Sequence, residues 1–176
     1  MERPLLVVVT GPPAAGKTTI AREVAARLGL PLIAKDTIKE ALFDRLGTGD
    51  LAWSSRLGEA TYLAMQALVV DSVAAGASLV LEGNLVSGSD LEAALTCLPS
   101  RFFQVHCSAP LALLIERYNN RIRHPGHIDA DRAEALEEAV NTGRHDPLDL
   151  PGETIRIDTS QPVDIDAVVG RIAAGN

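Results

Sequence analysis

The chain has 176 residues, 47% of them hydrophobic and 22% charged, a composition typical of a globular protein with one full core. Its net charge of −7 argues against binding of duplex nucleic acid, because duplex-binding surfaces are basic. Cys97 and Cys107 lack a disulfide-framework spacing, no apolar run is long enough to cross a membrane, and the first apolar run begins too early for a cleavable leader. We therefore expect a cytoplasmic protein with one domain over residues 1–176 and no membrane partner.

Short apolar runs alternate with helical patterns along the whole chain. Such alternation is typical of a parallel sheet covered on both faces, so we predict a three-layer α/β/α domain. The predicted strands are Leu5–Val9, Leu32–Ala34, Leu79–Leu81, Phe102–His106 and Thr154–Ile157. The predicted helices are Thr18–Leu28, Thr37–Leu46, Leu51–Ala75, Asp90–Leu98, Leu111–Ile122, Asp131–Asn141 and Val163–Ala173.

The first strand leads into Gly11-x-x-x-x-Gly16-Lys17-Thr18, the full phosphate-binding P-loop pattern. A strand that feeds a glycine-rich turn at a helix start directs several backbone N–H groups at one anion. Lys17 is expected to reach the β- and γ-phosphates, and the Thr18 hydroxyl to hold Mg²⁺. The predicted nucleotide-binding residues of this segment are Gly11, Pro12, Pro13, Ala14, Ala15, Gly16, Lys17, Thr18 and Thr19.

Charged residues follow the second strand, at the sheet edge where the P-loop also lies. We interpret Asp36 as a base for an acceptor hydroxyl, although an aspartate before a helix is also an ordinary N-cap. Lys39, one helical turn later, would share a face with Asp36 and bind an anionic group of the substrate.

The third strand ends in Glu82-Gly83-Asn84. An acidic residue at this position can hold magnesium through its water shell, and the alternative is a carboxylate that caps a strand end. Asn84 would contact the acceptor or begin the next helix.

The long helix between the second and third strands, predicted as Leu51–Ala75, carries a stripe at helical spacing, which we expect to face the core. The stripe consists of Trp53, Leu57, Ala60, Ala64, Ala67 and Leu68.

Arg117, Arg121 and His124 are spaced i, i+4 and i+7, which predicts one shared helix face. Two arginines above a triphosphate would neutralise charge on the transferring group, and the alternative is a solvated helix face. Arg123 is expected to point elsewhere, toward a lid of roughly residues 117–131, and is assigned to substrate binding. The spacing of His124 and His127 does not favour a metal site.

The segments GPPAAGKTT, KDTIKE, VLEGN, ERYNNRIRHPGH and RIDTS together resemble P-loop kinases of small molecules and polynucleotide 5′-ends in the adenylate-kinase-like superfamily. The chain looks especially like the "predicted kinase" group, related to chloramphenicol phosphotransferase and polynucleotide kinase domains. This resemblance implies five parallel strands in the order 2-3-1-4-5, with Asp36 as general base. It also implies that Arg117 stacks on adenine, that Arg121 contacts phosphates, and that the loop at Asp158 lies beside the adenine. Lys39 departs from the arginine that the family often has there.

We predict an ATP- and Mg²⁺-dependent kinase that phosphorylates a hydroxyl of a small molecule. The assigned catalytic residues are Lys17, Asp36 and Arg121, with Asp36, Lys39, Asn84 and Arg123 on the acceptor. One alternative is a polynucleotide 5′-hydroxyl kinase, against which the acidic charge and the 3% aromatic content weigh. Another alternative is a switch that hydrolyses ATP and signals to a partner.

Overall fold

The computed structural model describes residues 3–128 and 133–175. Within these residues five strands alternate with seven helices. The strands are β1 (Leu5–Thr10), β2 (Leu32–Ala34), β3 (Leu79–Glu82), β4 (Arg101–Ser108) and β5 (Gly152–Asp158). The helices are α1 (Lys17–Leu28), α2 (Lys35–Leu46), α3 (Leu51–Ala74), α4 (Asp90–Thr96), α5 (Leu111–Asn120), α6 (Ala133–Asn141) and α7 (Ile165–Ala174).

The strands form one parallel sheet in the order β2-β3-β1-β4-β5, which confirms the predicted fold and strand order. The central strand β1 is buried along its whole length and pairs with β3 on one side and β4 on the other. Its last residues lie opposite Glu82 and His106, so the ends of three strands meet at one edge. Loops that follow parallel strands lie at this edge, and most of the predicted site residues end or follow β1, β2 and β3.

Side chains of β1 alternate between two apolar clusters, one on each face of the sheet. Val7 and Val9 pack with α1, α5 and α7, whereas Leu6 and Val8 pack with α3 and α4. Both faces of the sheet are therefore covered, as the continuous apolar runs predict.

The predicted core stripe of α3 is right only in part, because Leu57 is buried, Trp53 and Ala64 are half-buried, and the other three residues are exposed. The buried face is Ser54, Leu57, Thr61, Met65, Val69 and Val73. Ala60 and Ala67 are exposed, and Leu68 is 49% exposed. The helix has apolar residues on more than one face, and the sheet packs against the face that carries Met65 and Val69, whose larger side chains bury more apolar surface than alanine.

Helix α5 ends at Asn120, two residues before the predicted end, and this changes the arginine arrangement. Arg121 is already extended, with φ −74° and ψ 137°. Asparagine pairs such as Asn119-Asn120 favour helix ends because their side chains compete for backbone hydrogen bonds. The prediction that Arg117, Arg121 and His124 share one helix face is therefore wrong.

The predicted lid and the predicted start of the sixth helix at Asp131 both extend into residues 129–132, which lie outside the described residues. In residues 3–128 and 133–175, no helix combines the length and the apolar character that crossing a bilayer requires.

Candidate active site at the phosphate-binding loop

The P-loop between β1 and α1 has a backbone that depends on glycine at its first position. Gly11 has φ +135°, and a Cβ atom there would lie 2.0 Å from the main-chain oxygen of Cys107. Gly16 has φ +75°, and Ala14 also has a positive φ, +64°. A non-glycine residue rarely holds this conformation, and where it does, the site is often functional.

Helix α1 begins without a side-chain cap. Its N-cap is Gly16, which makes no capping side-chain hydrogen bond, and its first turn contains no acidic residue. The first backbone N–H groups of a helix have no partner inside the helix, and their partial positive charge attracts anions. This helix start is therefore available to bind phosphate.

Lys17 is buried, with 5% of its surface exposed. Its Nζ donates to the main-chain oxygen of Pro12 at 2.6 Å. Burial lowers the pKa of Lys17 to about 8, against the opposing influence of Glu82. A phosphate group in the loop would favour the charged ammonium and raise this pKa.

Glu82 ends β3 beside Thr18 and is only 4% exposed. Burial raises the pKa of Glu82, while Lys17 opposes the change and the Thr18 hydroxyl donates to its carboxylate. A hydroxyl and a carboxylate are hard oxygen groups of the kind that Mg²⁺ and its bound waters prefer. The pair fits a magnesium ion held through Thr18, with Glu82 behind a water.

Asp36 lies in the first turn of α2, whose N-cap is Ala34. The alternative that Asp36 is an N-cap is therefore wrong. Its Oδ2 lies 2.6 Å from the Arg123 guanidinium, and Oδ1 lies 3.8 Å from Lys35 Nζ. Burial by itself would raise the pKa of Asp36, but Lys35, Arg123 and His127 outweigh it and lower the pKa. The carboxylate is thus ionised at neutral pH and able to accept a proton.

Arg117 and Arg121 approach the loop from different backbone settings. Arg117, on α5, donates to the Thr159 hydroxyl at 3.0 Å and to the Thr159 carbonyl at 2.8 Å. Arg121, just beyond α5, lies with its guanidinium carbon 4.1 Å from the Tyr118 ring centroid. Both side chains nevertheless line the cavity above the P-loop.

This phosphate cavity has a volume of about 420 Å³ and brings most of the predicted residues together. Its walls include residues 14 and 16–19 of the loop and first turn, together with Asp36, Glu82, Asn84, Arg117 and Arg121. A neighbouring cavity of about 410 Å³ continues past Arg117 to Thr159, Val163 and Ile165, and its apolar groups suit a flat ring.

Lys39 and Arg123, both predicted to bind substrate, do not line the phosphate cavity. Lys39 is 6% exposed, and its Nζ donates to Ser54 Oγ at 3.0 Å between α2 and α3. Its role on an anionic substrate stays a prediction. Arg123 does not point away from the site as expected, because it contacts Asp36 directly.

The segment 121–128 docks on α2 through contacts that the sequence pattern did not predict. His127 lies 3.1 Å from Glu40, and His124 lies 3.0 Å from Asp44. The His124 ring stacks on Phe43 at 5.5 Å between centroids. Glu40 and Asp44 are four residues apart and share one face of α2. This spacing could have suggested that two basic side chains pack against that face.

Asp36, Glu40 and His127 place possible ligand atoms within 4.8 Å of one another. The Arg123 guanidinium contacts both Asp36 and His127 and would repel a cation there. We assign no metal to this cluster.

The family model described as an AAA domain (AAA_33) matches residues 6–145. The chain belongs to this family. A protein from Chloroflexus aurantiacus J-10-fl, described as a "putative kinase", superposes with a TM-score of 0.88 and 34% identity, covering 99% of this chain and all of the other. The AAA_33 assignment and this relative confirm the resemblance to P-loop kinases.

More distant kinases share part of the sequence or only the fold. The cytidylate kinase of Pyrobaculum neutrophilum is 38% identical over 86 residues, which are 47% of this chain and 46% of that protein. The chain thus spans about half the length of the curated relatives it matches. Shikimate kinase from Bacteroides thetaiotaomicron, at 16% identity, covers 97% of both chains with a TM-score of 0.56 and shows the fold alone.

Proposed function

We propose that this protein is an ATP- and Mg²⁺-dependent kinase that transfers the γ-phosphoryl group to a hydroxyl of a small molecule. The observation that carries the proposal is the single cavity into which Lys17 and the ionised Asp36 both open. An anion-binding helix start on one wall and a carboxylate base on another are the two parts that phosphoryl transfer to an alcohol requires.

The residues of the cavity divide the chemistry among them. The acceptor oxygen bonds to the γ-phosphorus, and the bond to the β–γ bridging oxygen breaks with its electron pair leaving on ADP. The hydroxyl proton passes to Asp36, while Lys17 and Arg121 stabilise the charge on the transferring group. Asn84 lines the same cavity and orients the acceptor.

Thr18 and Glu82 would hold magnesium, which when bound supplies positive charge to the β- and γ-phosphates. The purine would lie in the apolar cavity beside Thr159, where Arg117 is already held by two hydrogen bonds. A guanidinium fixed in this way can stack on a flat base.

The test is ADP formation from ATP and magnesium across a panel of hydroxyl metabolites, with a 5′-hydroxyl oligonucleotide as one arm. Lys17→Ala should weaken ATP binding, because it removes the ammonium beside the phosphates. Asp36→Asn should retain ATP binding and lower turnover by about 10²–10⁴-fold, the usual contribution of a general base.

Asp71→Asn, at an exposed position on α3, is the matched control and should behave as wild type. Acceptor-stimulated turnover that survives in Asp36→Asn would refute the base assignment. If only the oligonucleotide stimulates ADP formation, the acceptor is a polynucleotide 5′-hydroxyl and not a small molecule. ATP hydrolysis that no acceptor stimulates would favour the alternative of an ATP-hydrolysing switch.

A further inference from the structure

Apart from the phosphate cavity and the apolar cavity near Thr159, a further cavity of about 440 Å³ lies beside the phosphate cavity, and the proposed chemistry does not use it. We call it the second cavity. Asn84 lines both cavities, and Pro13 of the P-loop reaches the second one. Its other walls include Tyr62 of α3 and the pair Arg144-His145 that follows α6. The volume is within the usual range for a small-molecule site.

The polar groups of this second cavity are fixed by bonds to the segment that follows β3. The Tyr62 hydroxyl donates to the Asn84 carbonyl at 2.9 Å, and the Ser87 N–H donates to the Arg144 carbonyl at 3.3 Å. His145 Nδ1 lies 3.2 Å from the Leu85 carbonyl. Because a carbonyl only accepts, Nδ1 carries the proton, and the neutral ring offers Nε2 as an acceptor.

Tyr62 connects the second cavity to the reacting groups. Burial raises the pKa of Tyr62. The negative charges of Asp36 and Glu82 raise this pKa further, whereas the positive charge of Arg144 lowers it. The Tyr62 hydroxyl bonds to Asn84, which lines both cavities, so the tyrosine lies where the second cavity meets the phosphate cavity. Lys35, which contacts Asp36, also lies 5.4 Å from the Tyr62 ring centroid.

Arg144 supplies an exposed guanidinium to this cavity. Among residues 3–128 and 133–175, no carboxylate lies within ion-pair distance of it, although Glu138 lines the same cavity. A guanidinium is always charged and binds a carboxylate or phosphate through two parallel hydrogen bonds. Glu138 and His145 Nε2 are acceptors, which suit hydroxyl groups.

We infer that the second cavity binds the non-reacting end of the acceptor, and that the acceptor is a small polyhydroxylated acid whose carboxylate or phosphate contacts Arg144. This inference rests on the proposed kinase function. The reacting hydroxyl extends past Asn84 into the phosphate cavity, where Asp36 takes its proton. Arg144, Tyr62 and His145 are thus specificity residues, and none of them touches ATP.

The test uses matched acceptors that differ in one charged group. Glycerate, glycerol 3-phosphate and glycerol form one set, and gluconate and sorbitol form another. We expect Asp36-dependent ADP formation with an acid and at least about ten-fold lower kcat/KM with its neutral partner. Comparison of glycerate with glycerol 3-phosphate decides between carboxylate and phosphate.

Arg144→Ala should raise the KM for the preferred acid by about 10- to 100-fold, the usual worth of a charge-assisted hydrogen bond, while kcat and the KM for ATP stay the same. Arg144→Lys should recover part of the loss. Arg45→Ala, at an exposed arginine of α2, is the control and should leave the KM for the acid unchanged.

The inference would be overturned if a neutral acceptor had the same kcat/KM as its acid. An unchanged KM for the acid in Arg144→Ala would also overturn it. Calorimetric titration of the panel acids and inorganic phosphate, with a non-hydrolysable ATP analogue bound, gives a readout independent of turnover. The inference would also be overturned if none of these anions, at millimolar concentration, bound in a way that depends on Arg144. An acid that binds through Arg144 without ADP formation would refute the kinase proposal and with it the acceptor role of this cavity, and only an anion site at Arg144 would remain.

Discussion

Lys17 shows how one buried side chain couples nucleotide binding to protons. Its ammonium donates to the Pro12 carbonyl, and burial lowers its pKa to about 8. A triphosphate beside it would raise that pKa, since opposite charges stabilise each other. The bound state therefore holds more protons than the free state near pH 8, and ATP affinity should decrease as the pH rises through this range.

The first prediction is proton uptake when ATP binds. At pH 8 about half of the Lys17 side chains are neutral, so binding should take up roughly half a proton per site. Titration calorimetry in two buffers of different ionisation enthalpy measures this number directly. Lys17→Met is the control variant, because it keeps the side-chain length and loses the titrating group. An equal uptake in that variant would show that another group titrates.

Gly11 illustrates a position where the backbone leaves no alternative residue. Gly11→Ala should lower the free energy of unfolding by roughly 2–5 kcal/mol, because the methyl group would meet the Cys107 carbonyl and φ is unfavourable. Denaturant unfolding measures the change. The matched control is Gly170→Ala in α7, where a Cβ atom would meet nothing within 4 Å. This variant should raise the free energy of unfolding by about 0.5–1 kcal/mol, because alanine favours a helix more than glycine does. Equal stability of the two variants would contradict the steric argument.

At the scale of secondary-structure elements, the main interaction is the docking of segment 121–128 on α2. Gly126 lies so close to Phe43 that a Cβ atom would be 2.4 Å from the ring. Two histidines face two carboxylates of α2, and Arg123 reaches Asp36. The same segment that contributes Arg121 to the phosphate cavity therefore also controls the charge around the proposed base.

Arg123→Ala should move the acid limb of the pH profile. Arg123 lowers the pKa of Asp36, so its removal raises that pKa toward neutrality. Because the base must be ionised, kcat/KM would then begin to fall at a higher pH than in wild type. The measurement is kcat/KM against pH below 7, with Arg45→Ala as control. An acid limb that does not move would mean that Asp36 is not the titrating base.

For the whole molecule, the alternation of strands and helices was enough to predict three layers and the edge where the site lies. The strand order came from the resemblance, and the sheet confirms it. The P-loop, Asp36, Glu82 and Asn84 could be found because each lies at or just after the end of a strand, and the topology brings strand ends together. Local pattern and fold type together therefore predict this half of the site.

The other half depends on contacts that no local pattern records. Tyr62 resembles one more apolar residue of α3, yet its hydroxyl bonds to Asn84. Arg144 and His145 are more than 100 residues from Asp36 along the chain and reach the site only because the segment after α6 returns to the sheet edge. The end of α5 at Asn120 decides where Arg121 and Arg123 point, and a sequence pattern locates a helix end only to within one or two residues.

The left-handed backbone of Ala14 has a consequence for how quickly the nucleotide can be taken up. That geometry carries a strain of about 1–3 kcal/mol, which the packing around the loop supports. The free energy of folding offsets this strain, so the strain does not have to be overcome again in each catalytic cycle. An incoming triphosphate then encounters amides already gathered for it, so capture should require no slow rearrangement of the loop.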